Sequence, residues 1–370
     1  MNPGCYFTAE RATSLANQLE TKMAGKKNTP NTSGRTTVQL IAQKLGVSAM
    51  TVSRALNGKP NVDPKTRDRV LAAARKSGYT PNHIARSLAL RRTETIGVVV
   101  PEISHSFFPE VIRGIEDAAY SAGYHIVLTH SAEDDCRERD AINTLKSKRV
   151  DGILISTAQS VTDISTYRDA IRQGVPFVFF DRVVQGVGAT CVSIDDGDCC
   201  ARITEHLIGH GYRAIAHLSG PTTVSIGKGR LNGYKEALNR HGLKLRPELI
   251  VESGFHEKGG YSAMEELLRL PARERPDAVV AVNDPAAFGA MKALQEHKLR
   301  IPQDMAIVGM SDDVRAELAI CPLTTMRQPA FEIGKTAASA LIAEIEGRDK
   351  PGRKLIVETE LTVRKSCGCV

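Results

Sequence analysis

Residues 96–130 read IGVVVPEISHSFFPEVIRGIEDAAYSAGYHIVLTH. The first five form a near-continuous apolar run, as in a parallel strand buried on both faces. From Phe108 the stretch FPEVIRGIEDAAYSAG has the spacing of an amphipathic helix, and HIVLTH from His125 returns to strand. The alternation continues through GILIS from Gly152, FVFF from Phe177, AIAHL from Ala214, DAVVAV from Asp277 and AIVGM from Ala306. Strands alternating with helices imply a doubly wound α/β fold. About 275 residues are too many for one such sheet, so residues 96–370 are read as two lobes.

Ligands in such folds bind outside the carboxyl ends of the strands. That rule selects Ser104, Phe107 and Phe108 after the first strand, and Asp181 and Arg182 after FVFF. It also selects Arg230, beyond AIAHL in SGPTTVSIGKGR, and Asn283 and Asp284 after DAVVAV. Carboxylates accept from hydroxyls, guanidinium forks donate to them, and aromatic faces cover a ring's C–H side. The set suits a polyhydroxyl ligand in a concave site with an apolar wall. One of Phe107 and Phe108 is expected in the core, and Asp181 and Arg182 have a simpler reading as partners of each other.

The remaining composition narrows the setting. A chain of 370 residues implies two or three domains. Its 42% apolar and 25% charged residues match an ordinary soluble globular protein. No apolar run has membrane-spanning length, and MNPGCYFTAE at the start lacks the basic-then-apolar pattern of a secretory signal. The expected location is the cytoplasm, with no membrane partner. Eight cysteines without framework spacing fit a reducing compartment. Trp is absent, which argues against stacking on single-stranded nucleic acid.

The net charge of +7 is unevenly spread. Residues 1–95 hold sixteen Lys and Arg against five Asp and Glu, a net +11, while the remainder holds thirty-three against thirty-seven, a net −4. A small basic region on a mildly acidic body points to a polyanionic partner for the former. Residues 1–35, including GKKNTPNTSG from Gly25, cannot supply a core. They are read as a disordered basic arm or as a misplaced start, with Met23 the alternative initiator.

From Thr36 the sequence becomes TTVQLIAQKLGVSAMTVSRALNG. Thr36 and Gln39 have capping-box spacing. Ile41, Ala42 and Leu45 share one helix face, Gly46 permits the positive φ of a helix end, and Ser48 caps a second helix. On that helix Val52 and Leu56 point inward beside Ala55, leaving Ala49, Met50, Ser53 and Arg54 outside. Two short helices joined by a tight glycine turn make a helix-turn-helix, whose second helix fits the major groove. Arg54 can bond bidentately to guanine or to a phosphate, and Ala49 and Met50 suit thymine methyls. Thr51 and Ser53 suit phosphates. Thr37, Ser48 and Asn57 complete the candidate DNA-contacting set. A third helix starts at Asp63-Pro64 and ends near Gly78, with Val70, Leu71 and Ala74 as its apolar stripe.

GVSAMTVSRALNG and TRDRVLAAARKSGYTPNHIARSLAL closely resemble the lactose/galactose-repressor (LacI) family of bacterial regulators. SFF, the Asp181-Arg182 pair, GRLNGY from Gly229, NDPAAFGAM from Asn283 and PLTTMRQP from Pro322 extend the resemblance over about residues 36–368. The resemblance implies a headpiece at 36–80, a hinge helix at 81–95 that orders on operator DNA, and a body at 96–370 like periplasmic sugar-binding proteins. It implies that Asn82, Ala85 and Leu88 meet DNA, with Leu88 wedged into the minor groove. It further implies effector contacts by Arg230 and Asp284, an aromatic stacked on the ligand at Phe255, and a homodimer on double-stranded operator DNA. The Asp181-Arg182 pair is found in the sugar-binding members, so a sugar effector is expected over a nucleobase.

The expected function is therefore a transcriptional regulator, in the repressing sense, controlled by a small sugar between its lobes. The alternatives are a sugar-binding transport protein and a purine- or nucleoside-responsive regulator. No catalytic motif is present: GKGRLNG lacks the dinucleotide fingerprint and the P-loop lysine, and no Gly-x-Ser-x-Gly or His-Glu-x-x-His occurs. Neither catalysis nor a cofactor is expected. Cys367 and Cys369 alone are too few for zinc, so no metal is expected.

Overall fold

The structure, a computed structural model, describes residues 37–56, 58–79 and 92–369. The chain divides into two compact units, one ending at Asn82 and the other beginning at His83. The segment 1–35 and most of the expected hinge, including Asn82, Ala85 and Leu88, lie outside the described residues, as does Asn57.

In the first unit, α1 (Val38–Leu45), α2 (Ala49–Leu56) and α3 (Pro64–Lys76) enclose a small core. Ile41, Ala42, Val52, Ala55, Val70 and Ala74 are buried in it. The N-cap of α1 is Thr37, one residue after the position its capping-box spacing selects. Thr37 is extended, its hydroxyl accepts from Leu40 N–H at 3.3 Å, and its carbonyl takes Ile41 N–H. Gly46 ends α1 at φ +68°. Ser48 Oγ accepts from Thr51 N–H at 3.1 Å to start α2, and Asp63 accepts from Thr66 N–H at 2.9 Å to start α3. Each such cap contributes about 1 kcal/mol, a large share for so small a core.

The second unit has two lobes. The first sheet contains β1 (Thr95–Val100), β2 (His125–His130), β3 (Gly152–Ile155), β4 (Phe177–Phe180), β5 (Thr190–Ser193) and β11 (Lys354–Ile356). Its order is β11-β5-β4-β3-β1-β2, and every pairing is parallel. The second contains β6 (Ile215–Ser219), β7 (Ile250–Glu252), β8 (Ala278–Ala281), β9 (Ala306–Ser311), β10 (Thr324–Arg327) and β12 (Glu360–Thr362), in the order β12-β10-β9-β8-β6-β7. Only its edge strand β12 is antiparallel. All seven expected strands are present; β5, β7, β10, β11 and β12 were not anticipated, being three or four residues long. β2 departs from the buried pattern because it forms a sheet edge and is largely exposed.

Helices α4 (Phe107–Ser121), α5 (Asp135–Ser147), α6 (Ser165–Arg172) and α11 (Ala330–Ile345) belong to the first lobe. Helices α7 (Asp196–Gly209), α8 (Ser225–Arg240), α9 (Glu257–Leu268) and α10 (Asp284–Glu296) belong to the second. The chain therefore crosses between lobes three times, after β5, after β10 and after β11. One apolar cluster continues from Ile96 and Val98 into Val280, Val308 and Met326, while the outer face of each sheet has a core of its own. The first lobe also claims residues 92–95 from the segment read as hinge. Asp151 accepts from the N–H groups of Thr93 and Glu94, each at 2.8 Å, and Arg92 donates to Ile345 O at 2.9 Å.

Helix pairs in both lobes approach through glycines. A Cβ on Gly114 of α4 would stand 2.0 Å from Phe331 O, and one on Gly334 of α11 would stand 2.0 Å from Val111 O. Gly233 of α8 meets Gly197 O of α7 in the same way. Gly114→Ala or Gly334→Ala should thus push the helices apart and cost the full chain about 1–3 kcal/mol in denaturant unfolding. Gly209→Ala has open space around it and should be neutral or mildly stabilising. Equal effects at the two kinds of site would refute the close-packing account.

Candidate functional site

The exposed side of α2 carries the residues selected for DNA. Ala49, Ser53 and Arg54 are exposed, Met50 is 64% exposed, and Thr51 is half-buried. Val52 and Ala55, on the opposite side, are buried. The spacing thus separates a core face from a small, polar, basic face. Thr37 and Ser48 are engaged as caps, and the Ser48 and Thr51 hydroxyls bond to each other at 2.8 Å. Asn57, Asn82, Ala85 and Leu88 are outside the described residues.

In the second unit a cavity lies between the lobes at the carboxyl ends of their strands. Its empty volume, mouth included, is about 540 Å³. Phe107, Phe108, Asp181, Arg182, Arg230 and Phe255 all border it, so six of the seven expected effector residues converge. Phe108 is the more deeply seated of the phenylalanine pair, with its ring edge-on to Phe107 at 5.2 Å.

Charge is concentrated here under heavy burial. Asp181 follows β4 at φ +57°, and among the described residues only the Ser156 hydroxyl donates to its carboxylate, at 3.4 Å. Burial pushes its pKa up to about 6, against the pull of Arg182. Arg182 does not pair with Asp181. Its Nη1 donates to both Glu133 oxygens at 2.8 and 2.9 Å, and its guanidinium lies 4.7 Å from the Phe255 ring centre. Its buried Nε has no partner among the described residues. Arg230 is 2% exposed; Nε donates to Asp196 at 2.8 Å and Nη1 to Val282 O at 2.6 Å.

Asp284 is the expected residue that does not border the cavity. It is fully buried behind the wall, accepting from Thr325 Oγ1 at 2.6 Å and from Asp313 N–H at 2.8 Å. As the first residue of α10, capped by Asn283, it points toward Gly309 of β9 rather than outward. Burial pushes its pKa up to about 7. The carboxylate at the wall is Asp313, which sequence reasoning missed. Asp312-Asp313 follows β9, so the strand-end rule would have selected it had it been applied to that strand as well.

The same wall carries bridges between lobes. Ser106 Oγ donates to Asp313 at 2.8 Å, and Val183 N–H donates to Ser225 Oγ at 3.0 Å. His105 lies between Glu102 and Glu257, 3.2 Å from each. The hydrogen bond to Glu102 holds its imidazole above the ordinary pKa, with burial pulling the other way. His105 was also not anticipated; PEISHSFF marks the loop, but not which side chain reaches the other lobe.

Placing Asp284 behind the wall has a measurable consequence. Asp284→Ala leaves the Thr325 hydroxyl and the Asp313 N–H without their buried acceptor. The unfolding free energy of the ligand-free chain should fall by about 1–3 kcal/mol. An unchanged denaturation midpoint would show that the carboxylate does not support Asp313.

Comparison with known proteins agrees with both units. Residues 37–82 match the family model described as bacterial regulatory proteins, lacI family, and residues 204–367 match a periplasmic binding protein-like domain. Catabolite control protein A of Staphylococcus xylosus is 33% identical over 316 residues, covering 85% of this chain and 93% of that protein. A crystal structure of the lac repressor dimer bound to operator and the anti-inducer ONPF is 27% identical. It aligns with a TM-score of 0.80 over 90% of this chain and 99% of that one. A transcriptional regulator CelR–cellobiose complex is 32% identical, with a TM-score of 0.69, over 90% of this chain and all of that one. These relatives are regulators, which decides against the transport-protein alternative. With a helix-turn-helix unit, a two-lobed body and a relative one-third identical over nearly its whole length, the chain belongs to the lacI family of bacterial regulatory proteins.

Proposed function

We propose that this regulator represses transcription as a cytoplasmic homodimer on operator DNA and is controlled by a sugar held between its lobes. The observation that carries the sugar reading is the cavity wall. Buried Asp181, Arg182 and Arg230 stand beside Phe107 and Phe255, a carboxylate–guanidinium–aromatic set suited to hydroxyls on a hydrophobic ring. The cellobiose complex of a relative supports the same reading. Asp181 and Asp313 accept from ligand hydroxyls, Arg230 and the Arg182 Nε donate, and Phe255 covers a ring face. Asp284 acts behind them by holding Asp313.

Sugar binding alters how the lobes close, and residues 81–95 transmit that change to the headpieces. In this scheme Leu88, with Asn82 and Ala85, contacts the operator centre, and Arg54 reads a guanine on each half-site. Linkage makes the coupling reciprocal, so operator changes sugar affinity by the same factor. A thermal-shift screen of the full chain against sugars and nucleosides tests the effector class, because a ligand of the folded state raises apparent stability. Stabilisation by nucleosides alone would overturn the sugar reading.

Two further outcomes follow from the roles assigned. On operator selected from random duplex DNA, Arg54→Ala should lose about 1–3 kcal/mol of specific binding, roughly five- to 150-fold, with effector binding intact. Equal loss of both activities would place Arg54 elsewhere. Asp181 has its pKa raised by burial to about 6, and hydroxyl donors favour its ionised form. Sugar affinity should therefore be full above that value and fall as pH drops through it. Asp181→Asn should bind more weakly and lose this pH dependence, as read by calorimetry between pH 5 and 8 (roughly two units to one side and one to the other).

A further inference from the structure

Beyond β12 the chain folds back onto the second lobe. Ser366 is fully buried, accepting from Thr324 N–H at 2.8 Å and donating to Ile307 O at 2.6 Å. This anchor fixes the two cysteines that follow. Cys367 is fully buried and Cys369 half-buried, and both are free thiols. They face the carboxyl end of α7, where His206 and the C-cap residue His210 have ring centres 4.7 Å from each other.

Cys369 touches each of the other three side chains. Cys369 Sγ is 2.9 Å from Cys367 Sγ, 3.2 Å from His206 Nε2 and 3.0 Å from His210 Nε2. The ligand atoms of His206, Cys367 and Cys369 all lie within 4.8 Å of one another. Zinc binds thiolate at about 2.3 Å and imidazole at about 2.0–2.1 Å, so neighbouring ligand atoms of a tetrahedron stand roughly 3.4–3.8 Å apart. The separations around Cys369 need to widen slightly, and His210, which touches Cys369 but stands outside the trio, must turn inward to complete the shell. The sequence offers one Cys-x-Cys pair; the fold supplies the two histidines more than 150 residues earlier.

We propose that His206, His210, Cys367 and Cys369 form a four-ligand site for a zinc ion. Two thiolates and two imidazoles select zinc over magnesium or calcium, which prefer oxygen. Four protein ligands close the coordination shell, so the ion is structural and offers no position to a substrate. Both thiols release their protons to solvent on binding, while the imidazoles bind neutral. His210 is exposed and gives the ion its way in. The bound ion fastens the tail to α7. Through Thr324, whose hydroxyl donates to Cys367 Sγ at 3.1 Å, it also braces β10.

The test uses the full chain, reduced with a phosphine, stripped by a chelator and titrated with cobalt(II) and then zinc. Cobalt should give thiolate charge-transfer absorption and intense visible bands of tetrahedral geometry at one equivalent per chain, and zinc should abolish them. Zinc should also raise the thermal midpoint. Loss of an outer partner of a metal ligand costs about 10–100-fold in affinity, so Cys369→Ser or His206→Gln should cost at least about 100-fold. His210→Gln, at the exposed corner, should fold normally and bind more weakly. The proposal is overturned if reduced protein gives no thiolate–cobalt absorption. It is equally overturned if the variants bind zinc as tightly as the parent, or if the only chemistry found is a Cys367–Cys369 disulfide.

Discussion

Arg230 is almost completely buried, and a guanidinium cannot discard its charge to escape that environment. Its desolvation is offset by Asp196 and by the Val282 carbonyl, each within 2.8 Å. Those partners are the first residue of α7 and the residue just past β8, while Arg230 itself lies on α8. One side chain thereby ties the first chain crossing, the central region of the second sheet and a helix packed against α7. The orientation of the cavity floor depends on that knot. A hydrophobic residue could fill the same volume at lower cost in stability. It could not hold three elements together while presenting positive charge to the site.

The opposite wall is organised by shared acceptors. Asp313 receives the Ser106 hydroxyl from the first lobe and the Arg315 guanidinium from its own, and Asp284 fixes its backbone from behind. Arg182 is held by Glu133 and lies over Phe255 of the other lobe. These contacts join the lobes through polar groups whose geometry changes when they part. On the α4, α11, α7 and α8 side the lobes are joined instead by one continuous apolar cluster. The two lobes are therefore held by apolar packing on one side and by polar bridges on the other.

Much of this was legible because buried parallel strands have a strong signature. IGVVV, FVFF and DAVVAV contain little except apolar residues, and their carboxyl ends led directly to Phe107, Asp181 and Arg182. The strands TCVS, KLI and ELT carry no such signal, since they owe their pairing to chain crossings rather than to local pattern. Asp284 and Asp313 show another limit. Both follow a strand, and nothing in the letters tells which carboxylate turns toward the cavity and which toward Thr325. The cluster at His206, His210, Cys367 and Cys369 is harder still, because its members come together only once β12 and the tail are in place.

The first lobe is not a contiguous piece of chain. Residues 92–193 make most of it, but α11 and β11 arrive only at 330–356, after the whole second sheet except β12 has been made. On the ribosome the first sheet must therefore wait, with the faces that Leu341 and Ile345 later cover left open and β5 still an edge. The second lobe can assemble its core strands earlier, although it is encoded later. A nascent chain of this protein thus passes through a stage in which its older half is the less finished one. Truncation between residues 330 and 356 would strip α11 and β11 from the lobe that was translated first.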